Sequence, residues 1–244
     1  MYDLILSRTA LSLVLQDGHV TEEAAQRIVT LSRQRCSDEF HTEVTELRRS
    51  SFPLVMLTIR TENRAWIEQK EGYASLISEL SRSYPRLGII LDGLNSGVAQ
   101  IATHGWMSPS DEQVVADFIV EACPNVRIYN SIGCQPCESI VLAEAIDAFL
   151  APIGAGLAKT RRGANKPGVG FSNQMAMLPG NHDLYDRFRD DPVPSRYIDS
   201  TDVKDVADSR HGEKSRANFS MSWHAPYREL KLLLDTLSGR CCSE

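Results

Sequence analysis

Apolar and polar positions follow two different patterns along this chain, and the change falls near residue 50. Before it, Leu4, Leu11, Val14 and Leu15 recur at helical spacing, and a further helical stretch is opened by Thr21, Glu22 and Glu23. No strand signal interrupts them. From Phe52 onward, short apolar runs alternate with amphipathic stretches. Runs at Leu54 to Ile59, Leu87 to Leu91, Val126 to Tyr129 and Ala148 to Pro152 predict four strands, and Gly168 to Phe171 predicts a fifth. The stretches Trp66 to Tyr84, Ser110 to Cys123 and Pro136 to Ile146 predict the helices between them. This alternation predicts an α/β fold: a parallel sheet with helices on both faces and ligands collected at the carboxyl ends of the strands. Beyond Asn173 the chain turns polar and proline-bearing, which predicts an irregular excursion over the surface. Tyr227, Leu230, Leu233, Leu234 and Leu237 then predict a terminal helix docking back. The expected organisation is an N-terminal helical segment, residues 1–50, followed by one α/β domain, residues 51–244.

The strand ends carry the candidate chemistry. After the fourth run the sequence reads Ile153, Gly154, Ala155, Gly156, Leu157, Ala158, Lys159, a glycine turn between a strand and a helix. Glycines there let backbone amides approach an anion, and Lys159 adds a full charge. A tight turn with no ligand is the alternative. After the first run come Arg60, Asn63 and Arg64, where guanidinium groups can grip a diphosphate or simply lie on the surface. The second strand ends at Asp92 and the third at Ser131 and Gly133, which could line a base pocket. Glu138 stands in the first turn of the next helix, placed for ribose hydroxyls or for the helix dipole alone.

Composition narrows the function classes. A formal net charge of −6 speaks against general nucleic-acid binding, which rewards a concentrated basic face. No stretch approaches the roughly 20 apolar residues of a membrane span, and the first residues lack a basic leader pattern, so the chain reads as cytosolic. The 6 cysteines are too scattered for a secreted disulfide framework. Cys134 and Cys137 form an isolated CxxC where a redox pair could sit, but no second pair or histidine cluster completes a zinc site. Gly180 to Asp183 reads GNHD without the companion motifs of a metallophosphoesterase. No nucleophile elbow, P-loop or dinucleotide fingerprint is present.

From about Phe52 to Leu237 the chain resembles the carboxyl-terminal, nucleotide-sugar-binding half of GT-B glycosyltransferases, in particular bacterial polysaccharide and lipopolysaccharide enzymes. The turn Arg60 to Arg64 is similar to the diphosphate-contacting arginine loop of fucosyltransferase-like members. Asp147 to Lys159, DAFLAPIGAGLAK, is similar to a GAGL element that in another group reads HGAGL; Ile153 replaces that histidine. The resemblance implies a Rossmann-like domain that takes a nucleotide-sugar donor and passes a hexosyl or related sugar to a glycan or lipid-linked acceptor in polysaccharide biosynthesis. It implies no metal or other cofactor. Arg60, Arg64 and Lys159 would hold the diphosphate, Gly154 and Gly156 would allow close backbone approach, and Ser131, Gly133 and Glu138 would meet the nucleoside. The catalytic base is not identified; Asp92 is the one acid at a strand end to test, with capping as its alternative. A partner domain or subunit would supply the acceptor site, and contact with a membrane would be peripheral. A non-catalytic nucleotide or nucleotide-sugar binding module and a CxxC redox protein are the competing readings.

Overall fold

The computed structural model describes residues 21–96, 109–154, 156–178, 192–206 and 216–241. The expectations for Leu4 to Leu15, Ala155 and the GNHD stretch lie outside them. Two helices, Glu22–Arg33 (α1) and Asp38–Ser50 (α2), come first. Each starts at a hydroxyl cap with acids in its first turn: Thr21 Oγ1 accepts from Ala24 N at 3.1 Å and Ser37 Oγ from Phe40 N at 3.2 Å. Then follow Leu54–Thr58 (β1), Gln69–Ser83 (α3), Gly88–Asp92 (β2), Pro109–Ala122 (α4), Arg127–Asn130 (β3), Pro136–Ala145 (α5) and Ala148–Pro152 (β4). A π-helical turn, Ala158–Gly163, leads to Gly168–Phe171 (β5). Arg196–Tyr197 (β6), Val203–Val206 (β7), Asn218–Met221 (β8) and His224–Cys241 (α6) complete the described elements.

The first six strands form one parallel sheet in the order β3-β2-β1-β4-β5-β6, the doubly wound order of Rossmann-like folds. Strands β1, β2, β4 and β5 are continuous apolar runs because both of their faces are covered. Helices α3, α4 and α6 pack side by side on one face through Tyr73, Leu76, Ile119, Leu230 and Leu234. On the other face α1 and α2 pack on α5, with Phe40, Val44 and Leu47 joining the same core. The connections β1-α3-β2 and β2-α4-β3 therefore cover one face, and β3-α5-β4 crosses to the other. The chain direction across the sheet reverses between β1 and β4.

Three features differ from the sequence-based expectation. The segment between β4 and β5 winds as a π-helical turn of 6 residues instead of a full helix. The polar tail is not wholly irregular: β6 extends the parallel sheet, and β7 and β8 pair antiparallel as a small second sheet. Phe219 of β8 is fully buried and packs edge-on to Phe171, with ring centroids 6.0 Å apart, while the Trp66 indole donates to Met221 O at 3.1 Å. A strand as short as β6 carries too few side chains to show a period, and β8 has only Phe219 and Met221 in alternation.

Candidate functional site

The reversal between β1 and β4 opens a crevice at their carboxyl ends, where open α/β sheets hold their ligands. Arg60 lies two residues beyond β1. The buried Gln69 side chain fixes its backbone, accepting from Arg60 N at 3.2 Å and donating to Arg60 O at 2.8 Å. Its guanidinium is fixed too: Nε donates to Asn63 O and Nη2 to Asn63 Oδ1, both at 2.7 Å. The remaining nitrogen, Nη1, lies over Gly154, so close that a Cβ built on Gly154 would stand 2.5 Å from it. Arg64 Nη2 would be 3.9 Å from that same atom. A side chain at Gly154 would therefore displace the Arg60 guanidinium, while Arg64 Nη2 lies at ordinary contact distance.

Arg64 adopts a left-handed backbone conformation, φ 53°, a strained state for a long side chain that costs on the order of 1 kcal/mol. Its amide donates to Arg216 O at 3.3 Å, and its Nε is buried with no hydrogen-bond partner among the described residues. Backbone strain and an unsatisfied buried cationic donor at one residue are the marks of a group held ready for an anion. Arg60, Asn63, Arg64 and Gly154 are therefore brought together at the switch point. Gly156 sits beside them, with only Thr58 Cγ2 near, at 3.8 Å from a Cβ built there.

Lys159 turns the other way. Its Nζ pairs with Asp92 Oδ1 and donates to Ser139 Oγ at 2.7 Å, and both charged partners are largely buried. Asp92 Oδ2 in turn accepts from Thr58 Oγ1 at 3.2 Å, and the buried Tyr73 hydroxyl donates to Thr58 O at 2.8 Å. Burial first, then the Asp92 charge, keeps that phenol protonated. Lys159 and Asp92 thus neutralise each other as a brace tying β1, β2, α5 and the π-helical turn.

The nucleoside candidates are placed for structural work. The Ser131 hydroxyl is buried and donates to Leu91 O at 2.9 Å. Gly133 has φ 78°, open to glycine and strained for other residues, and its amide donates to Leu94 O at 2.8 Å. Glu138 accepts from Gln135 N at 2.8 Å as half of a capping box on α5. Glu112, in the first turn of α4, lies within the predicted helix Ser110 to Cys123 and is not among the candidates that the sequence singles out. It is 4% exposed, accepts from Leu94 N at 2.6 Å, and packs on Gly93, where any Cβ would overlap it. Burial, with lesser contributions from Asp92 and Glu62 against those of Leu94 N and Lys159, pushes its carboxyl up to about 7.

The Cys134 thiol of the CxxC pair has the wrong electrostatics for redox work. Burial above all pushes Cys134 up to about 12, and burial with neighbouring Cys137 does the same to Cys36. A redox cysteine needs a stabilised thiolate. Among the described residues no helix is long and apolar enough to cross a membrane.

No protein family is recognised in the sequence, and no curated protein matches it. Among solved structures the chain is similar to E. coli ADP-heptose LPS heptosyltransferase II, with TM-score 0.50 and 14% identity over 84% of this chain and 54% of that one. It is also similar to a family 9 glycosyl transferase from Veillonella parvula DSM 2008, with TM-score 0.49 and 11% identity over 82% and 53%. S. aureus MnaA, solved with UDP, gives 0.39 and 15% over 68% and 41%. The chain spans about half the length of the heptosyltransferase. At 14% identity, what is shared is the fold: an α/β domain of the kind that heptosyltransferase II contains.

Proposed function

We propose that this domain binds a nucleotide-sugar donor by its diphosphate at the β1/β4 switch point and acts as the donor half of a glycosyltransferase. The observation that carries this reading is the Arg60 guanidinium, anchored by Asn63 and laid over Gly154, with the strained Arg64 beside it. A fixed guanidinium with a second arginine beside it, next to a glycine turn, is preorganised for the charge that develops on a leaving diphosphate. Their side chains supply the compensating positive charge. The fold shared with an ADP-heptose-dependent transferase supports a sugar nucleotide as the substrate class. Lys159 acts from below as a brace, not as a diphosphate ligand, since Asp92 and Ser139 already hold it. Asp92 is correspondingly unsuited to be the base. The acceptor, a glycan or lipid-linked sugar, and the base that activates it come from a partner domain or subunit. Burial of Asp92 also favours the second reading, a nucleotide-sugar binding module without transfer.

Calorimetric titration with UDP, ADP and GDP tests the reading. Binding to the native protein that is lost in Arg60→Ala supports it; no binding, or equal binding in the variant, removes it. Hydrolysis of the bound donor, or transfer from it, then separates enzyme from module.

A further inference from the structure

From Arg64 to Glu68 the arginine-bearing loop is stitched to strand β8 and the residues just before it. The Arg64 amide donates to Arg216 O at 3.3 Å, the Ala65 amide to Asn218 Oδ1 at 3.0 Å, and Ala65 O accepts from Phe219 N at 3.0 Å. Further along, Ile67 N donates to Phe219 O at 2.9 Å, the Trp66 indole to Met221 O at 3.1 Å, and Ser220 Oγ to Glu68 Oε1 at 2.6 Å. Strand β8 is itself held from the other side. It pairs with β7, Phe219 is fully buried, Asp205 Oδ1 accepts from Gln174 N at 2.7 Å, and the buried Asn173 side chain donates to Ala217 O at 3.2 Å. The bonds that Arg216 and Phe219 make to the loop use backbone atoms, which any residue supplies. The bond from Asn218 uses its side chain, so there the identity of the residue matters.

The amides that bracket the Arg64 Cα, its own and that of Ala65, are thus both fixed, one by Arg216 O and one by Asn218 Oδ1. Holding them sets both backbone dihedrals of Arg64 in the left-handed region, φ 53°, a state that a long side chain keeps only where its surroundings impose it. In that state Arg64 Nη2 comes within 3.9 Å of a Cβ built on Gly154. Resting on the donor-site reading above, we propose that Asn218 is a positioning residue of the diphosphate site and acts through Arg64. Without Oδ1 the Ala65 amide loses its partner and the peptide between Arg64 and Ala65 can rotate. Arg64 then relaxes to negative φ, which swings its Cβ and guanidinium away from Gly154. A ligand must restore the strained state out of its own binding free energy, and affinity weakens about 5- to 10-fold. The small β7–β8 sheet is thereby the support of the arginine loop.

The test is a double-mutant cycle read by calorimetric titration with UDP, ADP and GDP: native protein, Asn218→Ala, Arg64→Ala, and the two substitutions together. Asn218→Ala is expected to weaken binding about 5- to 10-fold in the native background. In the Arg64→Ala background it is expected to change affinity by about twofold or less, because the side chain through which it acts is gone. A general disturbance of the fold would lower affinity by the same factor in both backgrounds, so the coupling separates positioning from structure. Asn218→Ser, whose hydroxyl stops short of the Ala65 amide, takes the place of Asn218→Ala should the latter not fold. Affinity unchanged in the Asn218 variant, or weakened equally in both backgrounds, overturns this inference and leaves the donor site standing. Absence of binding by the native protein to all three nucleotides overturns the donor-site reading and this inference with it.

Discussion

Replacing Glu112 by glutamine should make the protein more stable above pH 7 and no more stable near pH 4.5. In the unfolded chain this carboxyl titrates at its ordinary value of 4.5, whereas in the folded protein it is pushed up to about 7. Between those values the folded state binds the extra proton. The contribution of Glu112 to stability is therefore greatest below 4.5, falls as the pH rises through 7, and levels off once the carboxylate is ionised in both states. At about 1.36 kcal/mol per pH unit, the whole interval corresponds to a cost on the order of 3 kcal/mol at pH 8. Glutamine removes that cost, keeps a carbonyl oxygen for Leu94 N, and has nearly the same volume. Urea unfolding of both proteins at half-unit steps from pH 4.5 to 8.5 isolates the difference, since every other titrating group is common to the pair. A stability difference that does not change with pH would refute the assignment of a buried, proton-holding acid at this position.

Three further outcomes are expected. Gly154→Ala should weaken nucleoside diphosphate binding about 10- to 100-fold by calorimetry, because the new Cβ displaces Arg60 Nη1 and strains the two bonds to Asn63; unchanged affinity would show that Arg60 does not serve the ligand from this position. Lys159→Met should cost about 3–5 kcal/mol of unfolding free energy by stranding Asp92, with most of it recovered in the double variant Asp92→Asn/Lys159→Met; a cost below about 1 kcal/mol would argue against a buried pair. Cys134→Ser combined with Cys137→Ser should leave diphosphate binding unchanged in the same titration, and loss of binding would reopen the thiols as part of the site.

The parallel sheet was legible because β1, β2, β4 and β5 are buried on both faces and so read as uninterrupted apolar runs between helical stretches. Helix starts were legible for the same local reason: Thr21 cap chemistry lies within a few residues of the helix it serves. What escaped is what depends on partners far apart in sequence. Nothing local shows that Lys159 bonds Asp92, 67 residues away. Nothing in the sequence singles out Glu112, because the groups that surround it come from other segments. Strand β8 was missed since the burial of Phe219 depends on Trp66 and Phe171, not on a pattern of its own. The cluster of Arg60, Asn63, Arg64 and Gly154, by contrast, follows from topology alone, because the strand order places the loops after β1 and β4 side by side.

The most direct test of a diphosphate site at that cluster is the affinity of the native protein for UDP, ADP and GDP compared with Arg60→Ala and Arg64→Ala, at fixed salt. Charge-assisted bonds to each guanidinium predict a loss of about 10- to 100-fold per arginine, with the unfolding profile of each variant retained. Binding by the native protein that survives both substitutions unchanged would contradict it.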